Sequence, residues 1–582
     1  MTTITLYGGV NEIGGCKILI EDGETRIFLD FGRAFGRYSD YFDGVFVRER
    51  TARGMLDVLS LGLIPPLEGL YRDDLIPDLG SSDSFWARFR SRPDYRDLRR
   101  DRLAVDAILL SHAHLDHTGD LLFVRPEIPI LSSRMTAFIA KAMQDAGRPS
   151  TSGVAYINPQ KKREDGLLEG DRSKGHIWRQ WVFVDGEPEG EVHPSDPFAS
   201  PRSFWLWRPT KSDKEAPEMK PHGGAPKTPL QWWPLDHSVF GATSFALETS
   251  ASWIAYTGDL RFHGHRWDDS QRFVEALQTL RPLVLLCEGT HVNSPEPPMT
   301  EPKQPVTEEE VHQNCLDALR KAEGKLAIAD FAPRNVERLL TFLDIARQTG
   351  RCLLIQPKDA YLLTAMYQAD PASVPDLKEE PHMALYDDPK GRKDRWEEVT
   401  REFYSGQLVG PDEVRRRPGE YILAFSLWDM PDLLDIEHLM GEAPGGVYVY
   451  SNSKAYDEEQ KVDLVRLWNW IRHFRMEPVG LRPVARDAAG RVTEVDGRSG
   501  SCRRRGRRVA PDAAGRVTAV DVTPGYHASG HTSGPELLRL VNEARPEILI
   551  PIHTERPGWW VEQLKGTGIQ VAIPNFARPI PV

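Results

Sequence analysis

The chain has 582 residues, with 85 Asp and Glu against 73 Lys and Arg, and a formal net charge of −12. Apolar residues at 40% and charged residues at 27% are typical of globular proteins, and the length predicts roughly two to four domains. No apolar run is long enough to cross a membrane, and the N-terminus lacks a secretory pattern, so we expect a cytoplasmic protein without membrane contacts. The acidic balance argues against a protein that coats nucleic acid through bulk charge, but it leaves room for a nuclease with a local basic track.

The first third of the chain reads as short strands, namely "ITLYGG", "CKILIE", "RIFLDFG" and "VDAILLS". Two stretches, 33–102 and 158–230, are rich in Pro and charged residues, and we expect surface insertions or lids there. The tryptophans of the second stretch could stack on nucleobases, but packing onto the body of the protein is the favoured explanation. A hairpin follows in "SFALETSASWIAYTGD", and a strongly apolar strand in "PLVLLCEGT".

Residues 295–455 show a different pattern, in which helices and strands alternate. The helix "PVTEEEVHQNCLDALRKAEG" opens with Thr307 and Glu310 at capping-box spacing. The strands "KLAIADF", "RCLLIQ", "EYILAFS" and "GGVYVYS" are separated by further helical segments. This alternation predicts an α/β domain with a parallel sheet covered on both faces.

A short internal repeat lies near the C-terminal end. The segment "RDAAGRVTEVDG" at 486–497 recurs as "PDAAGRVTAVDV" at 511–522, with the arginine run "CRRRGRR" between the copies. Each copy predicts a strand after a turn. The pattern leaves open whether the repeat is a duplicated surface hairpin or a contact surface for substrate.

The densest group of titratable residues is "SHAHLDHTGD", directly after the apolar run "VDAILL". In a loop that leaves a strand, side chains at i, i+2, i+4 and i+5 can converge on one point. Buried imidazole and carboxylate groups at this density would be destabilising without a divalent metal, and they are ligands that suit zinc. The alternative, a solvated polar loop, does not explain three histidines within six residues after an apolar strand.

The pattern H-x-H-x-D-H resembles the metallo-β-lactamase superfamily, and other segments of the chain fit its order of motifs. "PLDHS" and "YTGD" match the next histidine and aspartate, "RIFLDFG" matches an early aspartate, and the opening "GGVNEIGGCKILIE" is similar to the start of RNase J-like nucleases. "LLCEGT", "HASGH" and "LIPIHTE" match the three additional motifs of the β-CASP group.

This resemblance implies an α/β fold in which a metallo-β-lactamase αββα sandwich is interrupted by an inserted α/β β-CASP domain. The expected domains are 1–294 for the first part of the sandwich, with the insertions at about 33–102 and 158–230; 295–455 for the β-CASP domain; and 456–582 for the second part of the sandwich.

The resemblance also implies the roles of the site residues. One Zn²⁺ is expected on His112, His114 and His237, and a second on Asp116, His117 and His553, with Asp259 bridging; the ligand set also tolerates Mn²⁺. Asp116, His531 and Glu288 are expected to be catalytic, with His531 as general acid oriented by Glu288. Asp30 is expected to hold a ligand histidine in the correct tautomer, and His527, Ser529 and Gly530 to bind phosphate.

The implied activity is hydrolysis of phosphodiester bonds in single-stranded RNA, by an exonuclease or endonuclease mode, and His553 at the last motif position is the feature that favours RNA. Three alternatives stay open: a β-CASP nuclease acting on DNA, a hydrolase of a small ester or lactam, and a nucleic-acid-binding scaffold with a vestigial site. The sequence also leaves a homo-oligomer open.

Overall fold

The computed structural model describes residues 1–43, 46–78, 82–147, 153–171, 173–209, 228–293, 305–455, 458–486, 492–496, 501–504, 507–509, 517 and 519–582. Two mixed β-sheets pack face to face and form a sandwich. The strands of the first sheet, from edge to edge, are Trp181–Phe183, Ile130–Ser132, Ala107–Leu109, Thr25–Leu29, Lys17–Asp22, Thr2–Gly8 and Pro579–Pro581. Those of the second are Leu230–Pro234, Thr243–Glu248, Trp253–Tyr256, Val284–Glu288, Ile548–Ile552 and Gln570–Val571.

The inner faces of the two sheets bury a common core. Alternate residues of the strands point inward, as the period-2 geometry of a strand requires, and they include Ile18, Leu29, Leu109, Phe245 and Ile550, all fully buried. Three helices cover the outer face of the second sheet through a separate apolar cluster. They are Trp267–Leu280, Gly534–Ala544 and Gly558–Gln563.

The parallel strands of both sheets end at the same edge of the sandwich, and this edge carries the site. In the first sheet, Thr25–Leu29 runs parallel to Ala107–Leu109. In the second, Trp253–Tyr256, Val284–Glu288 and Ile548–Ile552 are parallel neighbours. The predicted hairpin is confirmed, because Thr243–Glu248 pairs antiparallel with Trp253–Tyr256.

A third sheet, entirely parallel, lies in sequence between the two parts of the sandwich, which confirms the predicted insertion of an α/β unit. Its strands, in spatial order, are Leu408–Val409, Met383–Tyr386, Cys352–Ile355, Tyr421–Ala424, Ala327–Asp330, Val447–Tyr450 and Glu477–Val479. The helix Glu308–Lys321 begins after Thr307, whose hydroxyl accepts a hydrogen bond from the Glu310 amide as the capping pattern predicts. The sheet continues to Val479, beyond the residue 455 at which the sequence predicts its end, and the exact domain division stays a prediction.

The helices that accompany the third sheet bury apolar side chains on both of its faces, as a parallel sheet requires. These helices are Val336–Thr349, Pro357–Ala369, Arg395–Phe403, Pro411–Arg416, Leu433–Met440 and Glu458–His473. The remaining helices are Phe35–Ser39, Leu56–Ser60, Ser82–Ala87, Leu115–Thr118, Arg134–Asp145 and Pro201–Leu206. Three small sheets pair Leu67–Glu68 with Arg96–Asp97, Tyr156–Ile157 with Ile177–Trp178, and Gln160–Lys162 with Leu168–Gly170.

The expectation that 33–102 and 158–230 are surface insertions is wrong for much of their described length. The first stretch buries Leu59, Tyr71 and Phe85 in the same core that receives Phe138. The second supplies the edge strand Trp181–Phe183. Trp181, Trp205 and Trp207 are buried, which confirms packing rather than exposure for these tryptophans. Pro and charge content misled the prediction, because the apolar residues between them are sufficient to build a core.

The arginine-rich repeat lies partly outside the described residues. Its described segments form a five-stranded sheet in the order Arg507–Val509, Ser501–Arg504, Val492–Asp496, Leu481–Arg486 and Ala519–Val522. Each repeat copy thus supplies one strand, as predicted. No helix among the described residues has both the length and the hydrophobicity that a bilayer crossing requires.

Candidate metal centre

The histidine-rich loop begins where the buried strand Ala107–Leu109 ends. His112 and His114 lie in the loop itself, and the short helix Leu115–Thr118 follows at once. The carbonyl oxygen of His114 accepts hydrogen bonds from the amides of His117 (3.1 Å) and Thr118 (2.9 Å), and this turn brings Asp116 and His117 back towards the two histidines. The loop therefore presents four side chains at one edge of the sandwich.

The first candidate ligand group contains His112, His114, His237 and Asp259, whose ligand atoms all lie within 4.8 Å of one another. His114 Nδ1 lies 3.1 Å from Nε2 of His112 and 3.1 Å from Nε2 of His237. His112 Nε2 is 3.6 Å from Asp259 Oδ2. His237 follows the strand Leu230–Pro234, and Asp259 follows Trp253–Tyr256, so the second sheet supplies both.

The second group contains Asp116, His117, His553 and the same Asp259. Asp259 Oδ2 is 3.1 Å from His117 Nε2 and 3.9 Å from His553 Nε2, and His553 Nε2 is 3.3 Å from Asp116 Oδ2. The structure thus brings together every residue that the sequence resemblance assigns as a ligand. Cys16, which the sequence analysis left without a role, has its thiol within 4.8 Å of the ligand atoms of His117 and His553.

The ligand atoms are better arranged to coordinate a metal ion than to form hydrogen bonds with one another. His117 Nε2 and Asp259 Oδ2 are buried 3.1 Å apart, and neither makes a well-directed hydrogen bond to a described residue. Burial lowers the pKa of His112 and of His237, which keeps both imidazoles neutral and able to donate a lone pair. Burial alone would raise the pKa of Asp259, but His553 and His117 outweigh it and keep the carboxylate charged. In the first group, neutral imidazoles beside a charged carboxylate are therefore a donor set for zinc.

Asp30 contacts the ring of His117 on the side away from the metal centre and orients this ring. Its Oδ2 is 2.7 Å from His117 Nδ1, which leaves Nε2 of that ring to face the centre. The same carboxylate accepts hydrogen bonds from the amide and hydroxyl of Ser111, both at 2.7 Å, and from the hydroxyl of Tyr256. Asp30 (φ 53°) and His553 (φ 51°) both adopt the left-handed backbone region, which non-glycine residues rarely enter and which often occurs at functional sites.

His531 and Glu288 form a pair beside the second group. His531 Nδ1 lies 3.1 Å from Glu288 Oε2, and Oε1 of the same carboxylate accepts from the Leu260 amide at 3.0 Å. Burial alone would lower the pKa of His531, but Glu288 and Asp259 outweigh it and raise the pKa to about 9. The imidazole is therefore held in its charged form, able to give up a proton.

The predicted phosphate-binding segment has several of its polar atoms engaged within the protein. The Gly530 carbonyl accepts from His237 Nδ1 at 2.6 Å, and a Cβ at position 530 would come within 2.6 Å of Ser238 Oγ. Ser529 Oγ accepts from the His531 amide at 3.0 Å, and burial lowers the pKa of His527 to about 4. Phosphate binding by His527, Ser529 and Gly530 stays a prediction.

A buried charge network fixes the His531 segment against both domains. Arg261 pairs with Asp236 (3.0 Å), next to His237, and with Glu308 (3.1 Å) and Glu337 of the inserted domain. Its Nη1 also donates to the Ser529 carbonyl at 3.1 Å. Arg338 pairs with Glu308 at 2.7 Å and donates to the Tyr526 carbonyl at 3.1 Å. Sequence reasoning missed this network, because nothing in the local pattern links residues so far apart along the chain.

Known families match two parts of the chain, and each part carries some of the residues of the centre. Residues 75–194 match the metallo-beta-lactamase superfamily model, and residues 520–574 match the model of the Zn-dependent metallo-hydrolase RNA specificity domain. Ribonuclease J of Mycolicibacterium smegmatis is 23% identical over 266 residues, and Ribonuclease J of Mycobacterium tuberculosis is 25% identical over 267 residues. In both cases the match covers 44% of this chain and 35% of the relative.

A crystal structure of a protein of unknown function from Enterococcus faecalis V583 shares the fold along the whole length. It has a TM-score of 0.60 and 18% sequence identity, and the match covers 100% of this chain and 99% of that one. The fold, the ligand geometry and the family matches together make this chain similar to the metal-dependent hydrolases of the metallo-β-lactamase superfamily. The chain is ribonuclease J-like over less than half of its length, and its architecture is of the β-CASP type, with the α/β unit between the two parts of the sandwich.

Proposed function

We propose that this protein is a two-zinc ribonuclease that hydrolyses phosphodiester bonds of single-stranded RNA. The observation that carries the proposal is the pair of ligand groups that share Asp259, with the His531–Glu288 pair directly beside them. This arrangement provides both a place for a nucleophilic water and a proton donor for the leaving oxygen, and phosphodiester hydrolysis needs both.

Each group of residues has a separate task in this reaction. His112, His114 and His237 would hold one zinc, Asp116, His117 and His553 the other, and Asp259 both. When bound, zinc supplies a water of lowered pKa and positive charge for the phosphoryl oxygens. Glu288 holds Nδ1 of His531, which leaves Nε2 to deliver a proton to the leaving oxygen. Asp30 keeps His117 in the tautomer that offers Nε2.

Two observations support RNA as the substrate. The segment 520–574, which includes His531 and His553, matches a domain named for RNA specificity, and the curated relatives are named Ribonuclease J.

The first experiment combines metal analysis of the purified protein with a time course on end-labelled single-stranded RNA and on DNA of the same sequence. We expect about two metals per chain and cleavage of RNA ahead of DNA. Stepwise shortening would identify an exonuclease and internal cuts an endonuclease. Supplementing the metal-stripped protein with Zn²⁺ or Mn²⁺ would identify the ion that restores activity.

The matched variants are Asp116→Asn, which alters a ligand, and Asp317→Asn, which makes the same change at an exposed carboxylate on the helix Glu308–Lys321. We expect the first to lose RNA cleavage and the second to keep it. Full metal occupancy with RNA and DNA both intact would contradict the proposal and direct attention to a small ester or lactam. Faster cleavage of DNA than of RNA would contradict the choice of RNA alone.

A further inference from the structure

One arginine of the inserted domain reaches the metal loop, and neither the sequence motifs nor the mechanism above uses it. Arg334 lies in the connection between the strand Ala327–Asp330 and the helix Val336–Thr349, at the carboxyl edge of the parallel sheet. Its Nη1 donates to the carbonyl oxygen of Ala113 at 3.3 Å. Ala113 stands between His112 and His114, so this guanidinium lies beside the ligands of the first group.

The charge of Arg334 is not neutralised by an ion pair. Among the described residues no carboxylate oxygen lies within 4.0 Å of its guanidinium nitrogens, whereas the neighbouring Arg261 and Arg338 are both paired with buried carboxylates. Burial lowers the pKa of Arg334, and Asp116 only partly offsets this effect. A partly buried guanidinium without an adjacent carboxylate is placed to bind an anionic ligand.

The chemistry of the missing partner follows from the position. A guanidinium offers a planar set of donors that matches two oxygens of a phosphate, and one hydrogen bond to Ala113 leaves most of these donors free for a ligand. The ligand would lie beside the metal loop, next to His112 and His114, where the scissile phosphate of the proposed substrate would be bound.

We propose that Arg334 binds a non-bridging oxygen of the substrate phosphodiester at the metal centre, and so contributes a catalytic residue from the inserted domain. This inference rests on the proposed nuclease function. It assigns Arg334 a direct contact with substrate, in contrast to a purely structural role in which the side chain only holds the Ala113 carbonyl.

The test compares Arg334→Gln and Arg334→Lys with Arg320→Gln in the full-length, metal-loaded protein. Arg320 is an exposed arginine of the helix Glu308–Lys321, so its substitution makes the same charge change away from the site. Three quantities are measured: metal content, kcat and KM on single-stranded RNA at several salt concentrations, and the affinity for a fluorescent single-stranded RNA with the metals chelated.

We expect Arg334→Gln to keep its metals and to lower kcat/KM by about ten- to hundredfold, with a rise in KM, because a hydrogen bond to a charged group is lost. The slope of log affinity against log salt concentration should become shallower by about 0.7, the value for one phosphate contact on a single strand. Arg334→Lys should keep the salt slope and recover part of kcat/KM, and Arg320→Gln should match the unsubstituted protein.

Unchanged kcat/KM and an unchanged salt slope in Arg334→Gln would overturn the inference while leaving the proposed function intact. Loss of metal from Arg334→Gln with an unchanged salt slope would also overturn it, in favour of the structural role. If the unsubstituted protein cleaves neither RNA nor DNA, the nuclease proposal fails. The binding measurement alone then decides whether Arg334 contacts a phosphate. Weaker RNA binding and a shallower slope in Arg334→Gln would then still support the phosphate contact, and equal binding would refute it.

Discussion

The chain places buried carboxylates at the ends of parallel strands twice, once in the sandwich and once in the inserted domain. In the sandwich, Asp259 and Glu288 follow or end strands of the second sheet, and neighbouring histidines lower the pKa of each against the effect of burial. In the inserted domain, burial raises the pKa of Asp330, the last residue of the strand Ala327–Asp330, to about 7. A carboxylate near the end of a parallel strand is therefore charged in one place and only about half ionised at pH 7 in the other.

The difference lies in what surrounds the carboxylates. Asp330 Oδ2 accepts a hydrogen bond from the Tyr448 hydroxyl at 2.6 Å, and the nearby Asp429 adds negative charge. No histidine or cysteine accompanies these aspartates in any candidate ligand group among the described residues. Burial of acidic groups alone thus yields protonated carboxylates, and imidazoles are needed to turn a strand-end cluster into a metal centre.

We expect the largest effect when aspartate is replaced by asparagine at position 259, with the same replacement at position 330 as the comparison. Asp259→Asn removes the charge that the two ligand groups share, so we expect loss of bound metal and a fall in RNA cleavage of about three orders of magnitude or more. Asp330→Asn should keep both metals and cleavage within about twofold, since its carboxyl is only about half ionised at pH 7. Metal analysis and initial rates check both variants. An equal loss of metal in the two variants would show that the two aspartates do not differ in metal binding.

The next effect separates proton delivery from metal binding within the sandwich. We expect His531→Ala to lower RNA cleavage by about 10²- to 10⁴-fold, the usual range for a general acid, with the metal content unchanged. The measurement compares RNA with an aryl phosphodiester, whose leaving group needs no proton. His531→Ala should cleave the aryl ester almost as fast as the unsubstituted protein does, and a loss of the same size on both substrates would assign His531 to metal binding.

A smaller effect is expected from Asp30, which touches a ligand and not the substrate. Asp30→Asn would weaken its hold on His117 Nδ1, and we expect metal affinity or activity to fall by about 10- to 100-fold. Titration with a competing chelator measures the affinity. Excess zinc should restore most of the activity, whereas Asp259→Asn should not be rescued in this way.

The sequence placed the residues of the candidate metal centre better than it placed the contacts between this centre and the inserted domain. The ligands follow strand ends in a fixed order, and this order can be read from motifs such as "SHAHLDHTGD" and "LIPIHTE". Arg334, Arg261 and the Asp330 cluster could not be predicted in this way, because their roles depend on contacts between distant segments that have no local periodicity. The insertions were misjudged for a related reason, since Leu59 and Phe85 reach a shared core from stretches that are polar on average.

The smallest effect concerns the free energy of unfolding, and it tests directly whether Asp330 is protonated in the folded protein. The pKa of Asp330 is raised to about 7 in the folded protein, against about 4 in an unfolded chain. Between these two values the folded state binds more protons than the unfolded state does, so its stability falls as the pH rises from 4 to 7. Full ionisation of Asp330 would cost about 4 kcal/mol at most, because each pH unit in this window corresponds to about 1.4 kcal/mol.

Asp330→Asn should remove this contribution, since an amide does not ionise. We expect its free energy of unfolding, measured by urea denaturation at pH 5 and pH 7, to fall less over that interval than that of the unsubstituted protein. The exposed Asp317→Asn controls for the loss of a carboxylate and should leave the interval unchanged. An identical pH dependence in Asp330→Asn and the unsubstituted protein would mean that Asp330 is charged in the folded state. A cation would then have to lie beside it, and the two strand-end clusters would be alike.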